Sequence, residues 1–125
     1  MEPLITMDIA IQSQSGQFVS VNGIIDTGAQ ITSLSEEIAK KLDLKLTPRE
    51  KSYQLHNDSG DLGEFPVFEA NLMIKTRDGG TSILDGFEVV VLPEGERIVI
   101  GLDCINLFSY RISEGKAYLL NQIAA

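Results

Sequence analysis

Apolar and polar residues alternate along most of this chain, and a period of two confines a sequence to half-buried strands. In "LITMDIAIQ", Ile5, Met7, Ile9 and Ile11 alternate with Thr6, Asp8, Ala10 and Gln12. The same alternation runs through "FEANLMIKT", with Phe68, Ala70, Leu72, Ile74 and Thr76 on one face. "QFVSVNGIID" predicts a further strand after a turn at Ser15-Gly16, and its Asn22-Gly23 predicts a tight turn or a bulge. "FEVVVL" and "RIVIG" are short and β-branched, as buried strands are. Asp78-Gly79-Gly80 predicts a hairpin break, and "SYRIS" and "KAYLL" around Glu114-Gly115 predict a closing hairpin. Two segments leave the pattern. "SLSEEIAKKLDL" puts Leu34, Ile38 and Leu42 at four-residue spacing, one stripe of a helix, with Ser33 and Glu36 as its capping box. "LDCINLF" after Gly101 predicts a short helical turn. The chain has 125 residues and no repeat, low-complexity stretch or linker. It is expected to form a single domain over residues 1–125, mainly β, with seven or more short strands and one or two short helices.

Hydrophobic residues make up 43% of the sequence, which suits a packed globule. Acidic residues number 18 against 10 basic ones, for a net charge of −8. That balance argues against nucleic acid or an anionic membrane as a partner, because both need clustered Lys and Arg. The densest basic group is Lys40, Lys41 and Lys45. Cys104 is the one cysteine, so no internal disulfide can form, and its apolar setting predicts a buried packing residue. His56 is the one histidine; it lacks partners for a metal site or a Ser/His triad and reads as an exposed loop residue. Asn57, Asp58 and Asp61 lack the spacing and closing glutamate of a calcium loop. No metal and no cofactor are expected. "MEPLITMDIAIQ" lacks the basic start and unbroken apolar core of a signal peptide, and no apolar run reaches membrane-spanning length. The chain is therefore expected to be soluble and cytoplasmic.

The stretch that carries chemistry is "VNGIIDTGAQITSLSEE". Asp26 follows two isoleucines and precedes Thr27 and Gly28. A carboxylate beside buried surface costs free energy unless something holds it. The glycine lets the backbone turn sharply and approach a substrate or another copy of the loop. The threonine hydroxyl can donate and accept, so it can brace the loop. By chance alone the tripeptide occurs in roughly 2% of chains this long, so by itself it reads as a turn. One carboxylate cannot act as acid and base together; two sharing a proton can. The motif occurs once here, so a two-fold dimer would have to supply the second.

Taken in order, three stretches resemble the retropepsin-like aspartic proteases, single-domain relatives of pepsin that work as homodimers. "GIIDTGAQITSLSEEIAKKLDL" is similar to the family's apolar strand, catalytic loop and following segment, in its cellular and bacterial rather than viral form. "YQLHNDSGDLGEF" stands where the family has its flap, a hairpin that closes over substrate. "IVIGLDCINLFSYRISEGKAYLL" resembles the second apolar-Gly element, short helix and closing hairpin. The resemblance implies a small closed β-barrel-like acid-protease domain. It makes Asp26 the catalytic residue and Thr27 and Gly28 the loop-shaping and dimer-bracing pair. Ala29, Ser59 and Gly60 would contact substrate, with Gly63 a second flap glycine. Ile100, Gly101 and Asp103 would support the catalytic loop.

The sequence also departs from the family. Viral members carry Asp directly after the loop alanine and Arg directly after the second-motif glycine, and the two form an ion pair that supports the dimer. Gln30 and Leu102 stand there in this chain, so both partners are missing together and no lone charge is left. The flap stretch "HNDSGD" is polar. Tyr53, at its start, is open between core packing and pocket wall. The function implied is an aspartic endopeptidase acting as a homodimer on a peptide or protein, through water activated by two Asp26 carboxylates. The alternative is a weakly active or inactive dimerisation or peptide-binding module. A glycosidase would need a second placed acid within one chain, and no other acid has a comparable setting.

Overall fold

The computed structural model describes residues 5–57, 60–77, 79–95, 97–113 and 116–122. Strands β1 (Thr6–Gln12), β2 (Phe18–Ile25) and β3 (Ser33–Ser35) lead into helix α1 (Glu36–Lys41). Strands β4 (Thr47–Asn57), β5 (Gly60–Lys75), β6 (Thr81–Leu92) and β7 (Ile98–Ile100) follow. Helix α2 (Leu102–Ile105) and the hairpin β8 (Phe108–Ser113) and β9 (Lys116–Gln122) complete the order. Going round from β1, each strand pairs with the next in the sequence β5, β6, β3, β7, β2 and back to β1, a closed six-stranded barrel. The β1–β5 seam is only two residue pairs long, Ala10 with Met73 and Ile11 with Leu72. Closure removes the open edges that a flat sheet of these strands would expose. Strands β4, β8 and β9 extend from the barrel, β9 joining β1 through Thr6 and Lys116.

The alternation in β1 places Met7, Ile9 and Ile11 in the core, each at most 3% exposed. In β7 both isoleucines are buried, Ile98 and Ile100. Gln12 and Phe18 flank the first hairpin loop, where Gly16 takes φ +91° at the turn expected there. Asn22-Gly23 is neither turn nor bulge: it lies within β2, Asn22 opposite Asp8 and Gly23 opposite Met7 in unbroken register. The glycine has a packing reason instead. A Cβ on Gly23 would fall 2.8 Å from Ile100 Cγ1, so its absence lets β7 lie against β2. The real irregularity is in β5 and β6, where register shifts between Ala70 and Leu72 and Gly86 takes φ +64°.

The helix begins later than its sequence stripe suggests. Ser33 and Leu34 belong to β3, where Leu34 pairs with Val91 of β6 and is buried. The N-cap is Ser35, whose Oγ accepts from the Ile38 N–H at 3.2 Å and donates to the Gly95 carbonyl at 2.6 Å. No Ser33–Glu36 capping box forms, because Ser33 is held in extended pairing with Val90 and Val99. Leu34, Ile38 and Leu42 do reach one core, but from a strand and a helix in turn. Glu36 and Glu37 in the first turn of α1 and Lys40 and Lys41 in its last turn complement the helix dipole. The predicted turn residues Glu114-Gly115 lie outside the described residues, although β8 and β9 pair on either side of them, Ser113 with Lys116. Asp78 also lies outside; Gly79 beside it takes φ +92°. Among the described residues, no helix is long and apolar enough to cross a membrane.

Candidate active site

Strand β2 ends at Ile25, and Asp26 is the first residue beyond it. Backbone bonds hold the chain to that point: the Ile25 N–H donates to the Ile5 carbonyl at 2.8 Å, and the Asp26 N–H to the Ile100 carbonyl at 3.1 Å. The chain then turns, with the Ala29 N–H donating to the Asp26 carbonyl at 3.1 Å. Within the turn, the Gly28 N–H donates to Asp26 Oδ1 at 2.9 Å. A Cβ on Gly28 would stand 3.2 Å from that oxygen, so the glycine leaves the carboxylate its room. Asp26, Thr27 and Gly28 are exposed in the single chain, and Ala29 is half-buried.

A second segment crosses behind this loop. The Leu102 N–H donates to the Ala29 carbonyl at 2.9 Å and the Asp103 N–H to the Gln30 carbonyl at 3.2 Å. At the crossing, a Cβ on Gly101 would meet the Ile31 backbone at 2.7 Å, so only glycine fits. Thr32 ties the two segments. Its hydroxyl donates to Asp103 Oδ1 at 2.8 Å and accepts from the Gly101 N–H at 3.1 Å, while its own N–H donates to Asp103 Oδ2 at 3.0 Å. The Cys104 N–H also donates to Asp103 Oδ1. Burial raises the Asp103 carboxyl above its ordinary value, and the donors of Thr32 and Cys104 pull the other way. Burial also pushes the Cys104 thiol up to about 12, with the charge of Asp103 adding to the effect. Cys104 is fully buried, the packing residue its apolar setting predicts.

The β4–β5 hairpin stands beside the loop, and a cleft of about 330 Å³ lies between them. Asp26 and Ala29 line it from below, Tyr53, Leu55, His56 and Leu62 from the hairpin. The Tyr53 hydroxyl donates to Gln30 Oε1 at 3.2 Å, linking hairpin to loop. Gly60 and Gly63 take φ +119° and +111°, which the hairpin end needs and other residues adopt only with strain. His56 sits on β4 rather than in a loop; it is exposed and pairs with Asp61. Ser59 and Asp58 lie outside the described residues. Among the described residues, no group of three or more His, Cys, Asp or Glu could hold a metal ion.

The structure brings Asp26, Thr27, Gly28, Ala29, Ile100, Gly101 and Asp103 together at one crossing, and Gly60 lies apart at the hairpin end. Two participants escape sequence reasoning. Thr32 is 2% exposed and polar, and the signal was a threonine among buried residues six positions after Asp26. The Tyr53–Gln30 bond joins residues 23 apart and left no sequence signal, although it settles Tyr53 as pocket wall.

A closed β-barrel with an Asp-Thr-Gly turn tied to a crossing apolar-Gly segment is the architecture of a small acid-protease domain. A family model described as "gag-polyprotein putative aspartyl protease" matches residues 13–106. The chain belongs to this retropepsin-like aspartyl protease family. Among solved structures it is similar to a retropepsin-like aspartic protease from Rickettsia conorii, at 20% identity and a TM-score of 0.53, over 96% of this chain and 100% of that one. It is also similar to the EIAV protease solved in complex with the inhibitor HBY-793, at 20% identity and a TM-score of 0.50, over 85% of this chain and 88% of that one. No curated protein matches it in sequence.

Proposed function

We propose that the protein is an aspartic endopeptidase that acts as a homodimer. The observation that carries this reading is Asp26 in its Asp-Thr-Gly turn, exposed in the single chain at the floor of a cleft beneath a hairpin. A second copy related by a two-fold axis would put its own Asp26 opposite, and a water held between the carboxylates would be the nucleophile. One carboxylate takes the proton of that water while the other protonates the peptide carbonyl oxygen. In this reading Thr27 braces the two loops, Gly28 shapes them, and Ala29, Ser59 and Gly60 contact substrate. Ile100, Gly101 and Asp103 hold the loop from behind, and the β4–β5 hairpin serves as the flap. The whole chain, residues 1–125, acts as a single domain.

The working form of such a pair holds one proton, so its rate profile is bell-shaped and belongs to the pair. The test is initial rates on a mixed peptide library from pH 3 to pH 8. The expected outcome is an optimum on the acid side of neutrality and inhibition by statine peptides. Asp26→Asn keeps the shape of the side chain but cannot share a proton, and should lower the rate by about a hundredfold to ten-thousandfold or more. A rate that climbs steadily to pH 8, or an Asn variant that keeps its activity, would sink the two-carboxylate mechanism. A verified dimer that cleaves nothing at any pH would make the protein a peptide-binding module instead.

A further inference from the structure

Beyond the cleft that holds Asp26 lies a larger cavity, of about 590 Å³. The two cavities share a wall, because Gln30, Ile31 and Tyr53 line both. Part of that wall is a hydrogen bond between the hairpin stem and the loop after Asp26, from the Tyr53 hydroxyl to Gln30 Oε1. The outer side is built by β6 from Ile83 to Glu88, with Asp103 contributing from α2. Ile83 is 55% exposed there, an apolar side chain left in water, and Phe87 is half-buried beside it.

The charges lining this cavity are all of one sign: Asp85, Glu88 and Asp103, and no lining residue is a cation. They differ in what already holds them. Glu88 pairs with Lys51 at 2.8 Å and Arg49 at 3.4 Å. Asp103 accepts from Thr32 and Cys104. Asp85 is exposed and has no partner among the described residues. The cavity thus offers apolar and aromatic walls together with one free carboxylate, on the same side of the protein as the cleft.

We propose that this outer cavity is a subsite for a basic side chain of the peptide substrate, Lys or Arg, with its aliphatic stem on Ile83 and Phe87 and its charged head at Asp85. The inference rests on the peptidase reading and adds a substrate preference to it. Long cationic side chains combine an apolar stem with a charged head, which is the combination this lining complements. Tyr53 and Phe87 add aromatic surface that attracts cations. An acidic side chain would meet the free carboxylate of Asp85 and no lining cation. A purely apolar one would cover Asp85 without replacing its water. The net charge of −8 favours encounter with basic peptides in the same sense.

The experiment uses short peptides in which one position at a time is lysine, norleucine or glutamate. Cleavage is measured with the wild-type protein and binding with the Asp26→Asn protein, each with and without Asp85→Asn. At one position outside the cleaved bond, lysine should exceed norleucine by about threefold to tenfold, in kcat/KM and in affinity, with glutamate weakest. The ratio should shrink as salt is added, and fall to about one in Asp85→Asn. Equal binding of lysine and norleucine peptides at every position, no binding of any peptide, or a preference that survives Asp85→Asn would overturn the proposal. If the wild type cleaves nothing while the Asp85-dependent preference persists in binding, the peptidase reading falls and the subsite stands.

Discussion

Asp26 and Asp103 sit on the two segments of one crossing and are held in opposite ways. Asp26 is exposed and, among the described residues, takes a single N–H, from Gly28. Asp103 is half-buried and takes donors from Thr32 and Cys104. The Thr32 hydroxyl decides how well Asp103 tolerates its charge, and Thr32→Val tests this with almost no change of shape. The valine leaves the Gly101 N–H without an acceptor and the carboxylate short of a donor, at a cost of about 1–3 kcal/mol. The sign of the pH effect follows from the raised Asp103 value. A group raised on folding contributes stability that is fully present below its unfolded value and lost as pH rises through its folded value. Removing the hydroxyl raises the folded value further and widens that window. The deficit of Thr32→Val should therefore be larger at pH 7 than at pH 3, as measured by denaturant unfolding at both. An equal deficit would mean that the hydroxyl acts only on Gly101. Of these residues, the sequence exposed Asp26 through its tripeptide and Asp103 only through family resemblance. Thr32 stayed hidden because its role depends on a partner 71 residues away.

At the level of elements, period two identifies β1 and β5, where one face meets the core, and the short β-branched run identifies β7, whose two isoleucines are both buried. Periodicity failed at 33–38. Leu34 is apolar because β3 is buried on all three residues, and Ile38 because α1 rests on the core; the four-residue spacing between them has two causes rather than one. Asn22-Gly23 departs from the turn or bulge its sequence suggests for a related reason, since the glycine answers to Ile100 across the sheet and not to its own neighbours. Ser35 is where strand becomes helix, capping Ile38 and binding the Gly95 carbonyl with the same oxygen. Ser35→Ala should cost about 1–2 kcal/mol, at the upper end for a cap because the side chain is 1% exposed and the Gly95 bond goes too. Ser33→Ala should cost less than Ser35→Ala, since Ser33 caps nothing; chemical denaturation of the pair reads the difference. A larger loss at Ser33 would put the cap back where the sequence stripe suggested it.

The whole molecule raises the matter of assembly. Gln30 and Leu102 stand where an ion pair would brace a viral dimer, and here Gln30 accepts from Tyr53 of its own chain. A homodimer of this protein is therefore expected to lack that brace and to dissociate on dilution. Sedimentation across a range of concentrations should show a reversible shift in mass, with activity per subunit falling at the dilute end. A monomer that keeps full activity would remove the need for two Asp26 groups. The barrel has its own consequence, for the order in which the chain can be made. Its circle passes through β7, residues Ile98–Ile100, the strand that joins β2 to β3. A nascent chain that has not yet delivered Ile98 can form hairpins but no circle, and leaves β2 and β3 with unpaired edges. On the ribosome, then, β1 through β6 must wait, exposed to wrong partners, for the three residues of β7 that follow them.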